Sequence, residues 1–268
     1  MLIETLYLTA LAASLGWFLL LWPISVVRRD ASVVDLVWGP GFGAIALLIW
    51  ALGPQTTDTR TLIVLALVVA WAVRLGVYMT GRKLREPHED PRYTKLRESW
   101  DPGFWWKSLF IVFLLQGFLQ WLLTLPVQGL LTAPAQEMSP SAYAAAGLAL
   151  AGLAFEAVAD RQLARFKQSN PPNALCRTGL WAVSRHPNYV GEIVFWWAIW
   201  LICVPVAGLW TIIAPIVLTL LLRYVSGVPL LEEHLAETKP EFDSYARTTP
   251  MLLPEMRERR EPSREGAP

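Results

Sequence analysis

Titratable side chains are concentrated in the segment 184–192, whose sequence is SRHPNYVGE. It combines a guanidinium, an imidazole, an amide, a phenol and a carboxylate, carried by Arg185, His186, Asn188, Tyr189 and Glu192. The residues that follow, 193–203, are almost purely apolar and are typical of a membrane helix. Polar groups at the mouth of such a helix are costly unless they are paired or used. The segment is therefore predicted to form part of a functional site.

A second candidate is a charged stripe on the helix predicted around Arg74. At helical spacing one face carries, in chain order, Trp71, Arg74, Tyr78, Arg82 and Arg85. One interpretation is an arginine that snorkels to the interface beside aromatic anchors. The alternative is the wall of a pocket for a long polyanionic ligand, because guanidinium groups pair with phosphate bidentately.

A third candidate is Asp35, which lies just inside the apolar run that follows a basic loop. Its carboxyl could cap the helix. Alternatively, it could be a buried acid that stays protonated and donates a proton. The nearby Gly39-Pro40-Gly41 break would let a ligand approach the backbone closely.

Further charged residues lie in the loops on the same side of the membrane. Segment 81–103 is either a solvated, headgroup-facing stretch with a short amphipathic helix from Asp90 to Trp100, or a place where Arg82 and Arg85 meet an anionic cofactor. Four more residues are each typical of a protein surface, but their shared location on this side favours a functional role. They are Asp160, Arg165, Lys167 and His234.

The elements that must position these residues are predicted to be membrane helices. Hydrophobic residues make up 54% of the chain and charged residues 17%, and the mean hydropathy is +0.38. Seven apolar runs have about the 20 residues needed to cross a bilayer. They are 5–27, 34–53, 61–80, 104–125, 141–160, 189–206 and 208–225. An all-α bundle in one domain, residues 1–254, is predicted, with a tight hairpin at 204–208 and a disordered charged tail at 255–268.

The distribution of basic residues predicts the orientation. Of the 23 Lys and Arg residues, only Arg60 falls in a loop on the side of the N-terminus. The positive-inside rule then places the N-terminus outside and the C-terminus in the cytoplasm. The first run lacks a basic n-region and a cleavage site, so we expect it to be a retained helix.

Several classes of site are not expected. Cys176 and Cys203 are too far apart along this topology to pair, and the three histidines form no metal-binding motif, so a metal enzyme is not expected. Neither a GxGxxG loop after a strand nor a GxxxxGK[ST] loop is present. A nucleotide would therefore bind within the helix bundle.

Together these motifs resemble a known family. The matching segments are SVVDLVWG (32–39), Arg74-Leu75, EDPRY (89–93), GLW (179–181) and SRHPNYVGE (184–192). In combination they resemble the steroid 5-alpha-reductase-like family, in its bacterial branch of small membrane proteins, over residues 30–254. The short Arg-His-Pro-x-Tyr-x-Gly motif alone also occurs in isoprenylcysteine and phospholipid methyltransferases, which use S-adenosylmethionine.

The resemblance implies a bacterial inner-membrane reductase with NADPH on its cytoplasmic side and a hydrophobic enone, such as a 3-oxo-4-ene steroid, within the membrane. Asp35 resembles the acidic position near the substrate carbonyl, and Trp71 stands where the steroid enzymes have a catalytic tyrosine. Asp35, with Trp71 as second donor, would polarise the carbonyl. The residues implied to bind the cofactor are Arg74, Tyr78, Arg82, Arg85, Asp160, Arg165, Lys167, Arg185, His186, Asn188, Tyr189, Glu192 and His234.

Two other functions remain open at this stage. A methyltransferase using S-adenosylmethionine would need the segment 184–192 but not the carboxyl of Asp35 or the arginine stripe. A lipid- or sterol-binding scaffold would account for the 14 tryptophans but not for buried Arg74 and Asp35. We expect a monomer surrounded by membrane lipid, without a nucleic-acid partner.

Overall fold

The computed structural model describes residues 2–252, and within that range the chain is helical with no β-strand. Seven of its helices are long and apolar enough to cross a membrane. The prediction of an all-α, seven-helix membrane bundle is therefore confirmed, and the chain is an integral membrane protein. The tail 255–268, predicted to be disordered, lies outside the described residues.

Seven spans and four shorter helices make up the described chain. In chain order the helices are α1 (Leu2–Arg28), α2 (Val34–Leu52), α3 (Thr59–Arg85), α4 (Pro91–Trp100), α5 (Phe104–Ser108), α6 (Leu115–Leu123), α7 (Leu125–Thr132), α8 (Pro140–Ser169), α9 (Pro187–Ala207), α10 (Ile213–Leu220), α11 (Val228–Thr238) and α12 (Phe242–Thr248). The fourth span combines α5 and α6 through a π-helical segment, Leu109–Leu114. The seventh contains α10, which continues into another π-helical turn, Leu221–Val225.

Two spans are longer than their apolar runs. Helix α3 continues to Arg85 and α8 continues to Ser169, whereas the runs end near residues 80 and 160. The extra turns are polar and emerge at the end of the bundle that carries the basic loops, here called the basic end. They place charged side chains on rigid helices, where their positions are better defined than on loops.

A short helix at the opposite end was not predicted. All residues of α7 are buried, although hydropathy assigned its first residue to the fourth span and the rest to no element. The apolar run simply continues past Leu123, and Pro126 occupies the first turn of the new helix. The predicted hairpin after α9 is confirmed: α9 ends at Ala207, and Gly208 adopts φ +87° before the next helical turn begins.

Glycines let α8 and α9 pack in direct backbone contact. A Cβ on Gly152 would lie 2.8 Å from the backbone nitrogen of Phe195. A Cβ on Gly191 would lie 2.6 Å from the backbone nitrogen of Glu156. Small residues at a membrane-helix interface allow such close approach, and here they bring Glu156 on α8 against the first turns of α9.

Replacing Gly152 by alanine should therefore destabilise the protein. The added methyl group meets backbone rather than a movable side chain, and overpacking of this kind costs about 1–3 kcal/mol. Thermal unfolding of the detergent-solubilised variant should show a lower Tm. Gly147→Ala, on the same helix but with nothing within 4 Å of its Cβ position, is the matched control. Equal Tm values for the two variants would contradict the close α8–α9 packing.

Candidate functional site

Polar side chains from six helices meet inside the bundle at the basic end. They form two connected groups. The first, called the Arg74 group, contains Arg74, Glu156, Asp160 and Glu192. The second, called the Asp35 group, contains Asp35, Arg92, Tyr93 and Gln116.

The Arg74 group is an ion-pair network between α3 and α8. The guanidinium of Arg74 donates to Glu156 Oε1 at 2.9 Å and to Asp160 Oδ2 at 2.9 Å. The side chains of Glu156 and Asp160 are 4% and 5% exposed, and that of Arg74 is 18% exposed. Arg74 thus points inward and does not snorkel to the surface. Glu192, on α9, lies within electrostatic reach of Arg74 and Asp160.

Trp71 lies on the side of the Arg74 group that faces the membrane core and is hydrogen-bonded to it. Its indole Nε1 donates to Glu156 Oε2 at 3.0 Å, and the side chain is fully buried. The ring stacks on Phe195 with centroids 5.8 Å apart and contacts Phe42 and Trp196 edge-on. Its N–H group is therefore already used by a protein acceptor.

Several buried polar atoms near the start of α9 have no hydrogen-bond partner among residues 2–252. They are Asp160 Oδ1, Asn188 Oδ1, His186 Nδ1 and Arg74 Nε. Leaving a buried donor or acceptor unpaired costs about 1–3 kcal/mol, so such atoms are rare in a settled core. Four of the ten such atoms among the described residues lie here, where they could bind a polar ligand.

The Asp35 group joins α2 to α4 and to the fourth span. Tyr93 Oη donates to Asp35 Oδ1 at 2.7 Å, and Arg92 Nη2 donates to Asp35 Oδ2 at 2.9 Å. Gln116 Nε2 donates to the Tyr93 oxygen at 3.2 Å. Asp35 makes no capping bond, because the first residue before α2, Val33, is the N-cap and no side chain caps it. The capping interpretation of Asp35 is wrong.

Helix α4 is fastened to the bundle by Asp90. This residue is the N-cap of α4, and it accepts hydrogen bonds from Arg82 Nη2 at 2.7 Å and from Arg92 Nε at 3.0 Å. Burial alone would raise the pKa of Asp90, but Arg92 and Arg82 outweigh burial and lower that pKa well below its usual value. The predicted amphipathic helix from Asp90 to Trp100 is confirmed, and it lies over the site.

The two groups lie near each other, with tyrosines between them. Tyr189, on the first turn of α9, lies within electrostatic reach of Asp35 and Arg92 on one side and of Glu192 on the other. Tyr78 similarly lies between Asp160 and Arg82. The predicted stripe on α3 therefore does face a single buried polar region, although Arg74 and Arg82 are paired with carboxylates there.

Basic side chains lie near the C-terminal ends of α3 and α8, at the basic end of the bundle. Arg85 and Arg165 are exposed and have no ion pair within the described chain, whereas Lys167 pairs with Glu86 at 3.0 Å. Because α3 and α8 both extend past the apolar run, these side chains lie at their ends. We call Arg82, Arg85, Arg165 and Lys167 the basic rim.

Arg185 anchors the C-terminal segment. It binds Glu232 through Nε at 2.7 Å, and its Nη1 donates to the carbonyl oxygens of Ala246 and Thr249. His186 also contacts Glu232, at 2.9 Å, and its ring stacks on Tyr189 with centroids 5.4 Å apart. A structural role for Arg185 accounts for all of these contacts.

The predicted site residues therefore separate into three sets. One set lines the polar region: Asp35, Trp71, Arg74, Tyr78, Arg82, Asp160, His186, Asn188, Tyr189 and Glu192. A second set, Arg85, Arg165 and Lys167, belongs to the basic rim, which shares Arg82 with the first set. Arg185 is occupied elsewhere, and the imidazole of His234, on α11, makes no hydrogen bond to either group within residues 2–252.

Four residues at the site were not predicted: Glu156, Arg92, Tyr93 and Gln116. A signal existed for Glu156, because it precedes Asp160 by four residues and both interrupt the apolar run of α8. Arg92 and Tyr93 were noted only as part of a motif. Their position depends on where α4 packs against the bundle, and the spacing of residues in the sequence does not show this.

A cleft of about 740 Å³ lies at the end of the bundle opposite to these groups. Its lining is mainly apolar and comes from α1, α7 and the hairpin after α9, including Tyr7, Thr132 and Trp210. In the polar region, by contrast, Arg74 and Arg82 pair with carboxylates of neighbouring helices.

Removing the Arg74 charge should destabilise the protein strongly. Arg74→Met leaves Glu156 and Asp160 without their shared counter-charge, and breaking a buried pair in this way costs about 3–5 kcal/mol. The Tm of the detergent-solubilised protein should fall by several degrees more than that of Arg161→Met, an exposed arginine on α8. Equal shifts would show that the Arg74 pairs contribute no stability.

Comparison with known proteins gives a family but no function. No curated protein and no solved structure matches the chain. Residues 21–249 match the family model described as "Protein of unknown function (DUF1295)". The chain therefore belongs to the DUF1295 family of membrane proteins.

Proposed function

We propose that this protein is an NADPH-dependent reductase that saturates the conjugated C=C bond of a hydrophobic enone, as in the steroid 5-alpha-reductase-like family. The observation that carries the proposal is a buried polar region, with unpaired acceptors, beneath a basic rim at one end of a membrane bundle. Such an arrangement suits a ligand that is anionic at one end and polar but uncharged at the other. A substrate dissolved in the bilayer could reach the same region from the side.

The residues present fit NADPH. Arg85 and Arg165 have guanidinium groups free to bind phosphate, and Arg82 and Lys167 could exchange Asp90 and Glu86 for it. The unpaired oxygens of Asp160 and Asn188 can accept hydrogen bonds from amide or ribose donors deeper in the site. Bound there, NADPH would supply a hydride to the β-carbon of the enone.

The Asp35 group would face the substrate carbonyl. Both oxygens of Asp35 accept hydrogen bonds, from Arg92 and Tyr93, so Asp35 is better placed to orient a donor than to donate a proton itself. Trp71 is not a suitable proton donor, because an indole N–H is not a useful acid and this one already donates to Glu156. The packed aromatic rings of Phe42, Trp71 and Trp196 would keep water away from the reacting carbons.

The orientation is part of the proposal. The basic end would face the cytoplasm of a bacterial inner membrane, where NADPH is supplied, and the N-terminus would lie outside. The charged ends of α3 and α8 then meet the cofactor, while the apolar turns of the same helices contact lipid.

One observation favours a second candidate, a methyltransferase using S-adenosylmethionine. The Arg74 group holds three carboxyl groups and one guanidinium, an excess of acid that would attract a cation such as a sulfonium. The basic rim has no role in that case, since S-adenosylmethionine carries no phosphate.

Ligand-induced stabilisation separates the two candidates. A ligand that binds only the folded state raises stability by about 2.7 kcal/mol at 100 times its Kd. NADPH should raise the Tm of the detergent-purified protein, and S-adenosylmethionine should not. A rise with S-adenosylmethionine alone would overturn the reductase proposal in favour of the methyltransferase.

The basic rim provides a second test. Replacing Arg85 and Arg165 together by glutamine removes two exposed phosphate partners, and NADPH affinity should fall at least about fivefold, the equivalent of roughly 1 kcal/mol. Arg28→Gln, at the same end of the bundle but on α1, is the matched control and should bind NADPH normally. Unchanged affinity in the double variant would remove the rim from the cofactor site.

A further inference from the structure

Tyr93 is the one side chain of α4 that is buried, with 8% of its surface exposed. Helix α4 lies outside the membrane spans, yet this phenol reaches into the bundle between α2 and the fourth span. Its ring packs in a hydrophobic cluster with Phe18, Val34 and Phe104, which explains why the ring is buried. Its hydroxyl, in addition, donates a hydrogen bond to Asp35, which packing of the ring alone does not require.

Hydrogen bonding around Asp35 leaves one group able to transfer a proton. Arg92 stays protonated at any physiological pH, and the amide of Gln116 is not an acid. Asp35 accepts with both oxygens. The Tyr93 hydroxyl is therefore the only ionisable O–H in the group. Its hydrogen now points to Asp35 Oδ1 and would turn from Asp35 to the substrate carbonyl before it is transferred.

The surroundings keep that hydroxyl protonated until it is needed. Burial, and after it the adjacent Asp35 carboxylate, raises the pKa of Tyr93 well above its usual value. Two contacts would nevertheless support a transient phenolate: Gln116 already donates to the Tyr93 oxygen at 3.2 Å, and the Arg92 guanidinium carbon lies 5.7 Å from the ring centroid.

We propose that Tyr93 is the proton donor to the substrate carbonyl, and that Asp35, Arg92 and Gln116 are positioning residues for it. The inference rests on the proposed reductase function. It assigns the role of proton donor to Tyr93 on α4 in place of Asp35 and Trp71.

When hydride adds to the β-carbon, the π pair of the C=C bond shifts into a new double bond between the α-carbon and the carbonyl carbon, and the π pair of the C=O bond moves onto the oxygen. That oxygen takes the Tyr93 proton, which gives an enol and a phenolate. The enol then returns the O–H proton to Tyr93 while the α-carbon takes a proton from solvent. The net result is one hydride and one solvent proton added across the double bond.

The first experiment compares Tyr93→Phe with wild type, using NADPH and cholest-4-en-3-one as the probe enone. General acids contribute about 10²–10⁴-fold, so kcat should fall at least about 100-fold while the Kd for NADPH stays unchanged. Tyr143→Phe, an exposed tyrosine in the first turn of α8, is the matched control and should retain full activity. A Tyr93→Phe enzyme as fast as wild type would overturn the role of Tyr93 alone.

The second experiment needs no turnover. Wild-type protein should bind cholest-4-en-3-one at least about fivefold more tightly than cholest-4-ene, which lacks the carbonyl, since one hydrogen bond contributes roughly 1 kcal/mol. Tyr93→Phe should bind both equally. If wild type neither oxidises NADPH with this probe nor prefers the ketone, the reductase proposal and the Tyr93 role both fail.

A third variant separates chemistry from folding. Fluorotyrosine at position 93 keeps the shape of the side chain but makes the phenol more acidic. If Tyr93→Phe fails to fold, this variant still tests the proposal: the alkaline limb of the kcat profile should move to lower pH. An unmoved profile would show that Tyr93 does not transfer the proton.

Discussion

The structure depends on one electrostatic constraint: carboxylates inside a membrane bundle must have their charge compensated. Glu156 and Asp160 interrupt the apolar face of α8, and Arg74 of α3 binds both. Leaving either acid unpaired in hydrocarbon would cost several kcal/mol. This pairing fixes the register of α3 against α8, and the glycine contacts of α8 with α9 then bring Glu192 and Asn188 to the same place.

The same constraint gives the loop helix α4 its position. Arg92 compensates Asp35 on α2, and Asp90 compensates Arg82 on α3, so α4 closes over the bundle through charges of alternating sign. Arg82 also belongs to the basic rim, so the proposed phosphate would compete with Asp90 for its guanidinium. The proposed binding of phosphate at the rim and the placement of Tyr93 at the acid would then be linked through one shared arginine.

The spans could be predicted because length and hydropathy alone determine what can cross a bilayer. The helix after Asp90 was also predictable, from a capping residue followed by proline and amphipathic spacing. Helix α7 was not, because its apolar sequence continues that of the fourth span and only Pro126 marks the break. Spacing placed Trp71, Arg74 and Arg82 correctly on one face, but it could not show which of them already have protein partners.

Some site residues could be predicted from their own helix, whereas others have contacts that depend on how distant segments dock. The inward direction of Arg74 follows from its position within a membrane helix. The use of Arg185 as an anchor for the C-terminal segment, and the approach of Tyr93 to Asp35, depend on tertiary docking of segments that are far apart in sequence. No local pattern carries that information.

A cryo-EM structure of the protein in lipid nanodiscs with NADPH would show whether the buried polar region beneath the basic rim holds a phosphate-bearing cofactor. We expect phosphate density among Arg82, Arg85 and Arg165, with the nicotinamide end beside Asp160 and Asn188. Nucleotide density anywhere else, or an unchanged ion-pair network with no density at saturating NADPH, would contradict it.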